Sequence, residues 1–426
     1  MTGEPLQFAL KFVPFVLFLE LPLYILIWLG ALRYCFRRTF SVPLEAPFYP
    51  SVSCTIICYS EGSDIKKTIR SLLEQLYPAK IELNILLDGA MQNAATYQAV
   101  KEMQPFVACY ANRSLRLIPK RQRGGRVSSM NAGLQFATGQ IVMALDGDTS
   151  FDNDMIIKAV QHFRDDNVIA LSGILQVRNA AASLVTLLQA MEYKLTVHAG
   201  KLGLAEMQSI NNIPGAFGIF RKSFLHKIGG WNSGTAEDLD LTIRIKQYLG
   251  RHPNLRIAFE PEAVAHTDVP DTWKTFFQQR LRWDGDLSYI YLRKHALAFN
   301  PALMGWRNFI FILWYGVLFQ VVMPFLIVFY TIYVFWTQAL PVVLGALLLI
   351  YSFYFVITGI QYVLFLLMLS TRPGEDSRLL WLLPLFPAYA FVIRVWSVAA
   401  NLNELFNKGH LDSSMAPWWV LKRDKF

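Results

Sequence analysis

The sequence predicts an α/β domain with a mostly parallel sheet, joined to α-helical transmembrane segments. The first observation is composition: of 426 residues, 54% are hydrophobic and 17% are charged, which is too apolar for an ordinary soluble protein. The second is pattern, because from Ser51 to about Gly250 short apolar runs alternate with polar helical stretches. That alternation is typical of parallel strands covered by helices. The length leaves room for one soluble domain of roughly 200–250 residues and several spanning helices.

The chain opens with an apolar stretch that we interpret as a membrane helix. It runs roughly from Phe12 to Leu32, is long enough to span, and lacks the small-residue cleavage site of a signal peptide. Arg33, Arg37 and Arg38 follow it, and basic residues mark the cytoplasmic ends of spans. We therefore expect a retained helix with a cytoplasmic domain after it.

Three buried strands and two helices are predicted within the domain, and acidic residues follow each strand. Glu61 follows the first strand and Asp88 follows the second. Asp146 and Asp148 follow the third. Because ligands bind at the carboxyl ends of strands in such sheets, these acids are expected to share one site. The predicted strands are Ser53–Tyr59, Ile81–Leu87 and Gln140–Leu145, and the predicted helices are Asp64–Leu76 and Ser128–Thr138.

Apolar runs dominate the C-terminal part. Phe309–Trp336 and Leu340–Ser370 are long enough to span a membrane. A third run, Leu379–Ala400, is interrupted by two prolines and an arginine, and it is left open whether this run spans, re-enters or lies in the interface. If it spans, parity places the basic tail outside, against the positive-inside tendency. The stretch Gly285–Arg307 is interpreted as a helix lying along the lipid headgroups.

These segments divide the chain into five parts. We assign 1–40 to an N-terminal transmembrane helix, 45–270 to the cytosolic domain, 271–306 to interfacial helices, 307–402 to C-terminal transmembrane helices and 403–426 to a cytosolic or interfacial tail.

The net charge of +9 does not indicate a nucleic-acid-binding protein, because no zinc-ligand pattern or aromatic RNA-binding motif accompanies it. Membrane lipids and a phosphorylated substrate are the expected partners of that charge. The four cysteines come without a histidine cluster and are expected to be reduced thiols.

Two acidic motifs are candidate catalytic groups. Asp146-Gly147-Asp148 places two carboxylates at a strand end, where they can bind a hard divalent cation; the same tripeptide is also an ordinary turn. Glu237-Asp238 opens a predicted helix, where a carboxylate can take a proton from an acceptor hydroxyl or simply complement the helix dipole. Each motif, taken alone, is compatible with its catalytic interpretation and with its purely structural one.

Two basic motifs are candidate phosphate-binding groups. Arg126 follows two glycines that allow close backbone approach, so it can contact a diphosphate or lie in a solvated turn. In the predicted helix Trp273–Trp283, spacings of three and four residues put Gln279, Arg282 and Trp283 on one face. That face can hold a phosphate and a sugar ring, or it can rest on anionic lipid.

The order of these motifs resembles that of the membrane-embedded family-2 glycosyltransferases, such as the synthases of cellulose, hyaluronan, chitin oligosaccharides and poly-N-acetylglucosamine. The D-x-D, E-D and Q-x-x-R-W motifs carry the resemblance from roughly Ser51 to Trp283, and the architecture extends it to the rest of the chain. It implies a GT-A-type, Rossmann-like domain with a UDP-sugar donor, a growing polysaccharide acceptor and Mg²⁺ or Mn²⁺ as cofactor.

The resemblance also implies roles for single residues. Asp238 is implied as the general base with Glu237 beside it, and Asp146 and Asp148 are implied as metal ligands. The implied UDP-binding residues are Tyr59, Glu61, Asp88, Arg126 and Asp146. The implied acceptor and diphosphate contacts are Gln279, Arg282, Trp283, Pro214 and Gly215.

Three positions depart from the pattern of that family. Arg126 stands where lysine is usual, and Ala236 replaces the threonine that usually precedes Glu-Asp. Asn212–Ala216 replaces the usual Phe-Phe-Cys-Gly or Cys-Cys-Gly of the acceptor site, which leaves the acceptor's identity open.

The implied function is that of a processive, inverting β-glycosyltransferase of a bacterial inner membrane, with its catalytic domain in the cytoplasm. It would polymerise a UDP-sugar, with UDP-N-acetylglucosamine as the leading donor, into an extracellular biofilm polysaccharide and move the polymer across the membrane. A small membrane subunit or periplasmic export proteins are candidate partners. The alternatives are a non-processive transferase that adds one sugar to a lipid-linked acceptor, and a receptor or assembly subunit with an inactive transferase domain.

Overall fold

The protein contains an eight-stranded sheet covered by helices, with long apolar helices before and after it in the chain. The computed structural model describes residues 16–40, 48–232 and 234–411. The start of the predicted helix Phe12–Leu32 and the predicted tail from residue 412 onward lie outside these residues.

The predicted α/β fold class is confirmed, with a sheet that is mixed. The strands are β1 (Val52–Cys58), β2 (Ile81–Leu87), β3 (Arg113–Pro119), β4 (Ile141–Asp146), β5 (Ser150–Phe151), β6 (Val168–Val177), β7 (Phe217–Arg221) and β8 (Arg256–Thr267). β1 runs parallel to β2 and β4 on its two sides, and β2 runs parallel to β3. β7 lies antiparallel between β4 and β6, and β8 pairs in parallel with β6 and antiparallel with β5. The mostly parallel arrangement that the sequence predicts therefore holds for β1 to β4 and is interrupted at the antiparallel strand β7.

The three predicted strands are β1, β2 and β4, each displaced by at most one residue. Every residue of β1 and β2 is buried, because helices cover both faces of the sheet, and this is why both strands consist of continuous apolar runs. The edge strand β3 is half-exposed and contains Arg113 and Arg116. Its apolar pattern is therefore too weak for the strand to be predicted from the sequence.

Helices that precede or cover the sheet are α1 (Leu21–Phe40), α2 (Ile65–Leu73), α3 (Ala94–Val107), α4 (Gly125–Phe136), α5 (Met155–Val160), α6 (Leu184–Tyr193), α7 (Lys201–Glu206), α8 (Lys222–Lys227) and α9 (Glu237–Arg251). Helix α4 begins at Gly125, three residues before the predicted Ser128. The carboxylate of Asp88, which directly follows β2, accepts the N–H groups of Gly124 and Gly125, both at 2.8 Å. Asp88 thus supplies the hydrogen-bond acceptors that the free N–H groups at the start of α4 need.

The helices that follow the sheet are α10 (Trp273–Tyr289), α11 (Pro301–Met304), α12 (Trp306–Phe311), α13 (Met323–Thr337), α14 (Leu340–Met368), α15 (Pro373–Asp376) and α16 (Phe386–Asn407). In the part of the chain that the structure describes, three helices are long and apolar enough to cross a membrane: Phe18–Phe40, Trp306–Thr337 and Leu340–Met368. The third predicted C-terminal run is bent by 73° between Pro373–Leu382 and Phe386–Asn407. Pro384 lies in the break, where its ring and missing N–H end a helix.

The stretch Gly285–Arg307 is not the single headgroup helix that the sequence suggested. Helix α10 ends at Tyr289, and a wider π-helical segment, Ile290–Lys294, follows it. The Asn300 side chain then accepts the N–H of Ala302 and starts the short helix α11. Capping and turn residues therefore divide this stretch.

Candidate active site

The carboxyl ends of β1 and β4 meet at the acidic loop Asp146–Asp148. Gly147 donates its N–H to the Ile57 carbonyl at 3.0 Å, which presses the loop against the end of β1. A Cβ atom on Gly147 would lie 3.2 Å from Cδ of Glu61, so glycine is needed for this close approach. Glu61 therefore lies beside the two aspartates, as their positions after neighbouring strands predict.

The three acids of this loop region crowd one another. Burial raises the pKa of Glu61 to about 7; its carboxylate accepts the Tyr59 N–H at 2.8 and 3.0 Å, which opposes the rise, and Asp148 and Asp146 add to it. The side chain of Asp148 reaches solvent, yet the surrounding walls desolvate its carboxyl group and raise its pKa. Beyond these acids, the Arg123 guanidinium lies 4.3 Å from the centre of the Tyr59 ring.

The acidic loop fits a partial site for a hard cation. Carboxylate oxygens are the ligands that Mg²⁺ and Mn²⁺ prefer, and Asp146 and Asp148 supply two such groups in a region of excess negative charge. Among residues 16–40, 48–232 and 234–411, no three His, Cys, Asp or Glu side chains form a complete metal site. Magnesium sites are commonly completed by substrate phosphates and water, so two protein carboxylates are sufficient.

Asp88, which follows β2, organises the loop before α4. Besides the N–H groups of Gly124 and Gly125, its carboxylate accepts the Lys120 ammonium at 2.7 Å. The side chain is almost completely buried. Because a carboxylate has about four acceptor positions, one position is left for a ligand.

Arg126 joins the acidic loop to the start of α9. Its guanidinium pairs with Asp146 through Nη1 and donates from Nε to Oε1 of Glu237 at 2.5 Å. Burial opposes the charged guanidinium, but the two carboxylates outweigh burial and raise the pKa of Arg126. Burial raises the pKa of Glu237, and Arg126 counters this. The two acidic motifs, which are far apart in sequence, thus share one arginine.

The Asp238 carboxylate is oriented by the loop before β7. Oδ2 accepts the Asn212 amide at 3.1 Å and the Gly215 N–H at 3.2 Å, and Oδ1 accepts the N–H of Leu239 at 2.7 Å. A Cβ atom on Gly215 would lie 2.8 Å from Oε1 of Glu237, so this backbone passes directly over the acid pair. Pro214 is buried beside it. The segment Asn212–Ala216, which replaces the usual acceptor-site motif, therefore still supplies hydrogen-bond donors to Asp238.

Thr235 and Asp240, which the sequence did not single out, hold the turn at the start of α9 through their side-chain bonds. Ala236 has φ 47° and ψ 40°, a left-handed conformation that costs a non-glycine residue about 1–2 kcal/mol. On one side, the Thr235 hydroxyl bonds to Asp286 of α10. On the other, the completely buried Asp240 bonds to Nε2 of His295 at 2.8 Å. Contacts on both sides of Ala236 maintain its left-handed conformation. No local sequence pattern predicts these contacts.

The predicted polar face of α10 lies in two different surroundings. Arg282 lines a cavity between α10 and the C-terminal end of α16, and its charge acts on Asp286 four residues further along α10. Trp283 is 39% exposed, and the centre of its ring lies 5.1 Å from the Arg280 guanidinium. Oε1 of Gln279 is buried and has no hydrogen-bond partner within the described residues. A buried acceptor without a donor is expected to receive one from a ligand or from water.

Comparison with known proteins places this domain in a family. Residues 50–285, more than half of the chain, match the family model described as glycosyltransferase like family 2. The chain belongs to that glycosyltransferase family. The match confirms the resemblance to family-2 glycosyltransferases that the D-x-D, E-D and Q-x-x-R-W motifs indicated.

Curated relatives of this glycosyltransferase include polysaccharide synthases. It is 28% identical over 249 residues to a poly-beta-1,6-N-acetyl-D-glucosamine synthase of Staphylococcus epidermidis, covering 58% of this chain and 57% of that protein. It is 26% identical over 282 residues to the enzyme of the same name from Staphylococcus aureus strain COL, covering 64% and 65%. The matched region thus spans less than two thirds of these relatives.

A solved structure supports the fold of the glycosyltransferase. The mannosyltransferase PcManGT of Pyrobaculum calidifontis, in complex with GDP-Man and Mn²⁺, superposes with a TM-score of 0.54 at 19% identity. The match covers 91% of this chain and 98% of that one. It confirms the GT-A-type fold. Together with its three long apolar helices, the relationship to the synthases places this glycosyltransferase in a membrane.

Proposed function

We propose that this glycosyltransferase is an inverting, processive enzyme that polymerises a UDP-sugar, with UDP-N-acetylglucosamine as the leading donor. The pairing of Arg126 with both Asp146 and Glu237 carries the proposal, because it brings the D-x-D and E-D motifs to one pocket. The relatives' name, poly-beta-1,6-N-acetyl-D-glucosamine synthase, supports the choice of sugar and of polymer.

The donor nucleotide is proposed to lie across the carboxyl ends of β1, β2 and β4. Glu61 would face the uridine, with the Tyr59 ring beside it, and the remaining acceptor position of Asp88 would read the uracil N–H. Arg126 would donate to the diphosphate, since an arginine fork suits phosphate oxygens.

Asp146 and Asp148 would hold Mg²⁺ or Mn²⁺, which when bound supplies positive charge to the departing diphosphate. Arg126 shares Asp146 and would balance phosphate charge from the opposite side. Glu237 would hold Arg126 in that position through its bond to Nε.

Asp238 is proposed as the general base. Its Oδ2, directed by Asn212 and Gly215, would take the proton of the acceptor hydroxyl. The acceptor oxygen then bonds to C1 of the donor sugar as the bond from C1 to the phosphate oxygen breaks, and that electron pair leaves on UDP. Attack opposite the leaving group converts an α-linked donor into a β-linkage.

The acceptor is proposed to lie between Pro214–Gly215 and α10. The buried Oε1 of Gln279 would accept a sugar hydroxyl, Arg282 would lie at the diphosphate end, and the half-exposed Trp283 would stack on a sugar ring. A growing polymer is the expected acceptor.

The segments 1–40, 45–270, 271–306, 307–402 and 403–426 remain the proposed domains, with the catalytic part on the cytoplasmic side of a bacterial inner membrane. Membrane lipids would surround the apolar helices. The polysaccharide would leave through the membrane part, and a small membrane subunit or periplasmic export proteins are proposed partners.

The proposal is tested with the detergent-solubilised full-length enzyme and Mn²⁺. UDP release is measured with UDP-glucose, UDP-N-acetylglucosamine, UDP-glucuronate and UDP-galactose, and radiolabelled products are sized. Long products from one donor support the proposal, and a single addition contradicts processivity. Asp238→Asn should lower the rate about 10²–10⁴-fold. The matched control is Asp166→Asn, because Asp166 is 96% exposed.

A further inference from the structure

Arg280, the first of the two variable residues in the Q-x-x-R-W motif, lies between two aromatic rings of its own helix. Its Cζ is 5.1 Å from the centre of the Phe276 ring, one turn before it, and 5.1 Å from the centre of the Trp283 ring, one turn after it. Spacings of four and three residues place these side chains on one face of α10. Phe276 is completely buried, whereas Trp283 is partly exposed. The guanidinium therefore supports the exposed ring from the side of the core.

Glu192, near the end of α6, holds that guanidinium in place. Its Oε2 accepts a hydrogen bond from Nη2 of Arg280 at 2.7 Å. Both side chains are shielded from solvent, with exposed fractions of 15% for Glu192 and 11% for Arg280. A hydrogen bond between two charged groups is among the strong ones, and shielding spares it the screening that weakens surface pairs. The pair therefore restricts the guanidinium more than an exposed ion pair would.

The Glu192 carboxylate is in turn held by Tyr389 of α16. The Tyr389 hydroxyl donates to the same Oε2 at 2.7 Å, and this tyrosine is buried. Its ring packs against Phe276, with the two ring centres 5.9 Å apart. Glu192, Phe276, Arg280 and Tyr389, which we call the Arg280 cluster, thus connect α6, α10 and α16 through direct contacts, and Trp283 rests on this cluster.

We propose that Arg280 is a positioning residue of the acceptor site: held by Glu192, it fixes the Trp283 indole in the orientation that stacks on the acceptor sugar. This rests on the stacking role of Trp283 in the function proposed above. An indole that turns freely would lose conformational freedom when a sugar binds, and that loss would weaken binding. A cation against one face of the ring restricts it beforehand and leaves the other face for the sugar.

The other possible role of Arg280 is a direct contact with the sugar. Its Nε is buried and has no hydrogen-bond partner in the described part of the chain. Positioning is favoured, because the rings of Phe276 and Trp283 lie against the guanidinium and Nη2 is bonded to Glu192. The two roles differ when Trp283 is removed: a direct contact would persist, whereas a positioning effect would vanish.

The first test is a double-mutant cycle on the full-length enzyme with UDP-N-acetylglucosamine, Mn²⁺ and a short β-1,6-linked N-acetylglucosamine oligomer. Trp283→Ala should raise the oligomer KM about tenfold, because stacking on the sugar is lost. Arg280→Met should raise it about threefold in the wild type, through loss of the cation beside the indole, and leave the donor KM unchanged. In Trp283→Ala the same change should have no further effect. Arg280→Lys, which keeps the charge, should recover part of the loss.

Lys274→Met is the matched control, because Lys274 is an exposed cation on the same helix. An equal rise of the oligomer KM in both backgrounds would assign a direct sugar contact to Arg280 and overturn the proposal. A lower kcat with an unchanged oligomer KM would show a purely structural role and also overturn it.

The second test does not depend on the sugar. Oxidation of each tryptophan by hydroxyl radicals is followed by mass spectrometry in the wild type and in Glu192→Gln. The substitution keeps the side-chain shape but weakens the bond to Arg280, so Trp283 should be oxidised faster. Trp306 of α12, which is 69% exposed, should be oxidised at an unchanged rate. Equal rates at Trp283 overturn the proposal. If the wild type uses none of the four donors, the proposed function fails, and this measurement still decides whether Glu192 and Arg280 hold the indole.

Discussion

Arg126 shows how one residue connects two motifs. The family's pattern has lysine here, and a lysine ammonium is a compact point charge, whereas the planar guanidinium donates in several directions at once. In this chain Nη1 serves Asp146 and Nε serves Glu237. The substitution noted in the sequence therefore has a structural consequence, since the acid loop and the start of α9 are held together by one side chain.

Arg126→Met should destabilise the protein by about 3 kcal/mol, because it leaves the Asp146 and Glu237 carboxylates unpaired in a mostly buried site. Adding Glu237→Gln should recover part of that loss by removing one unpaired charge. Thermal unfolding in detergent measures both changes. Arg121→Met is the control, as Arg121 is exposed. Equal stability of Arg126→Met and wild type would show that the bridge is absent in solution.

At the scale of elements, the start of α9 is held by α10 and the segment that follows it. Asp286 bonds to Thr235, and Asp240 bonds to Lys294 at 2.9 Å and to His295 at 2.8 Å. The strained Ala236 lies between these contacts and directly before the proposed catalytic pair. The helix that carries the Q-x-x-R-W motif and the helix that carries the E-D motif therefore form one structural unit.

Asp286 makes this unit sensitive to pH. Burial raises the pKa of Asp286 to about 7; bonding to Thr235 and the charge of Arg282 oppose the rise, and Glu237 and Glu404 add to it. An unfolded aspartate titrates near about 3.9. The folded state therefore binds this proton more tightly, and the resulting stabilisation is complete below about pH 4 and is lost as the pH rises through about 7.

Asp286→Asn, which imitates the neutral carboxyl, should consequently unfold at a higher temperature than the wild type at pH 8 and at nearly the same temperature at pH 5. Differential scanning fluorimetry at the two pH values measures the effect. Asp166→Asn should show no such pH dependence, because Asp166 is exposed. A difference that is independent of pH would contradict the argument.

The contact between α1 and α7 gives a second prediction at this scale. Gly30→Val places side-chain atoms where the Gly203 backbone lies, and overpacking of this kind costs about 1–3 kcal/mol. We expect a lower unfolding temperature, because the backbones of α1 and α7 must move apart to make room for the side chain. The matched control is Gly359→Val in α14, because nothing lies within 4 Å of a Cβ atom there. An unaltered unfolding temperature would show that the two helices are not packed closely.

At the scale of the whole molecule, the active-site helix is bound to the membrane part. The Phe277 carbonyl of α10 accepts the Trp396 indole N–H at 2.8 Å, and Asp284 accepts the Ser397 hydroxyl at 2.5 Å. Trp396 and Ser397 belong to α16, which packs along α10. Helix α10, which carries the Q-x-x-R-W motif, is thus bonded to α16 through polar groups, and the proposed acceptor site lies next to that apolar helix.

Metal removal tests the molecule as a whole. The acids Glu61, Asp146 and Asp148 concentrate negative charge at the proposed diphosphate site, so a chelator should abolish UDP release and weaken UDP binding. Mn²⁺ or Mg²⁺ should restore both. Asp148→Asn should need a higher metal concentration for the same rate. Full activity in a chelator would show that the acids serve another purpose.

Much of the fold could be predicted from local pattern. β1, β2 and β4 are continuous apolar runs with acids at or after their ends, and the apolar length of α14 identifies a candidate membrane span. The strand β3 and the division of Gly285–Arg307 could not be predicted in this way. β3 is half-exposed, so its apolar pattern is weak, and the division of Gly285–Arg307 depends on single capping residues.

What the sequence by itself determined is the set of chemical groups and their order: acids at strand ends, glycines where backbones approach, and a basic aromatic helix next to apolar segments. Hydrophobic periodicity and short spacings are local, so they are legible in a linear chain. Only the tertiary structure decided that Arg126 joins Asp146 to Glu237 and that α10 holds the turn before α9. Those contacts join residues distant in sequence, and their geometry follows from how the sheet and the membrane helices pack.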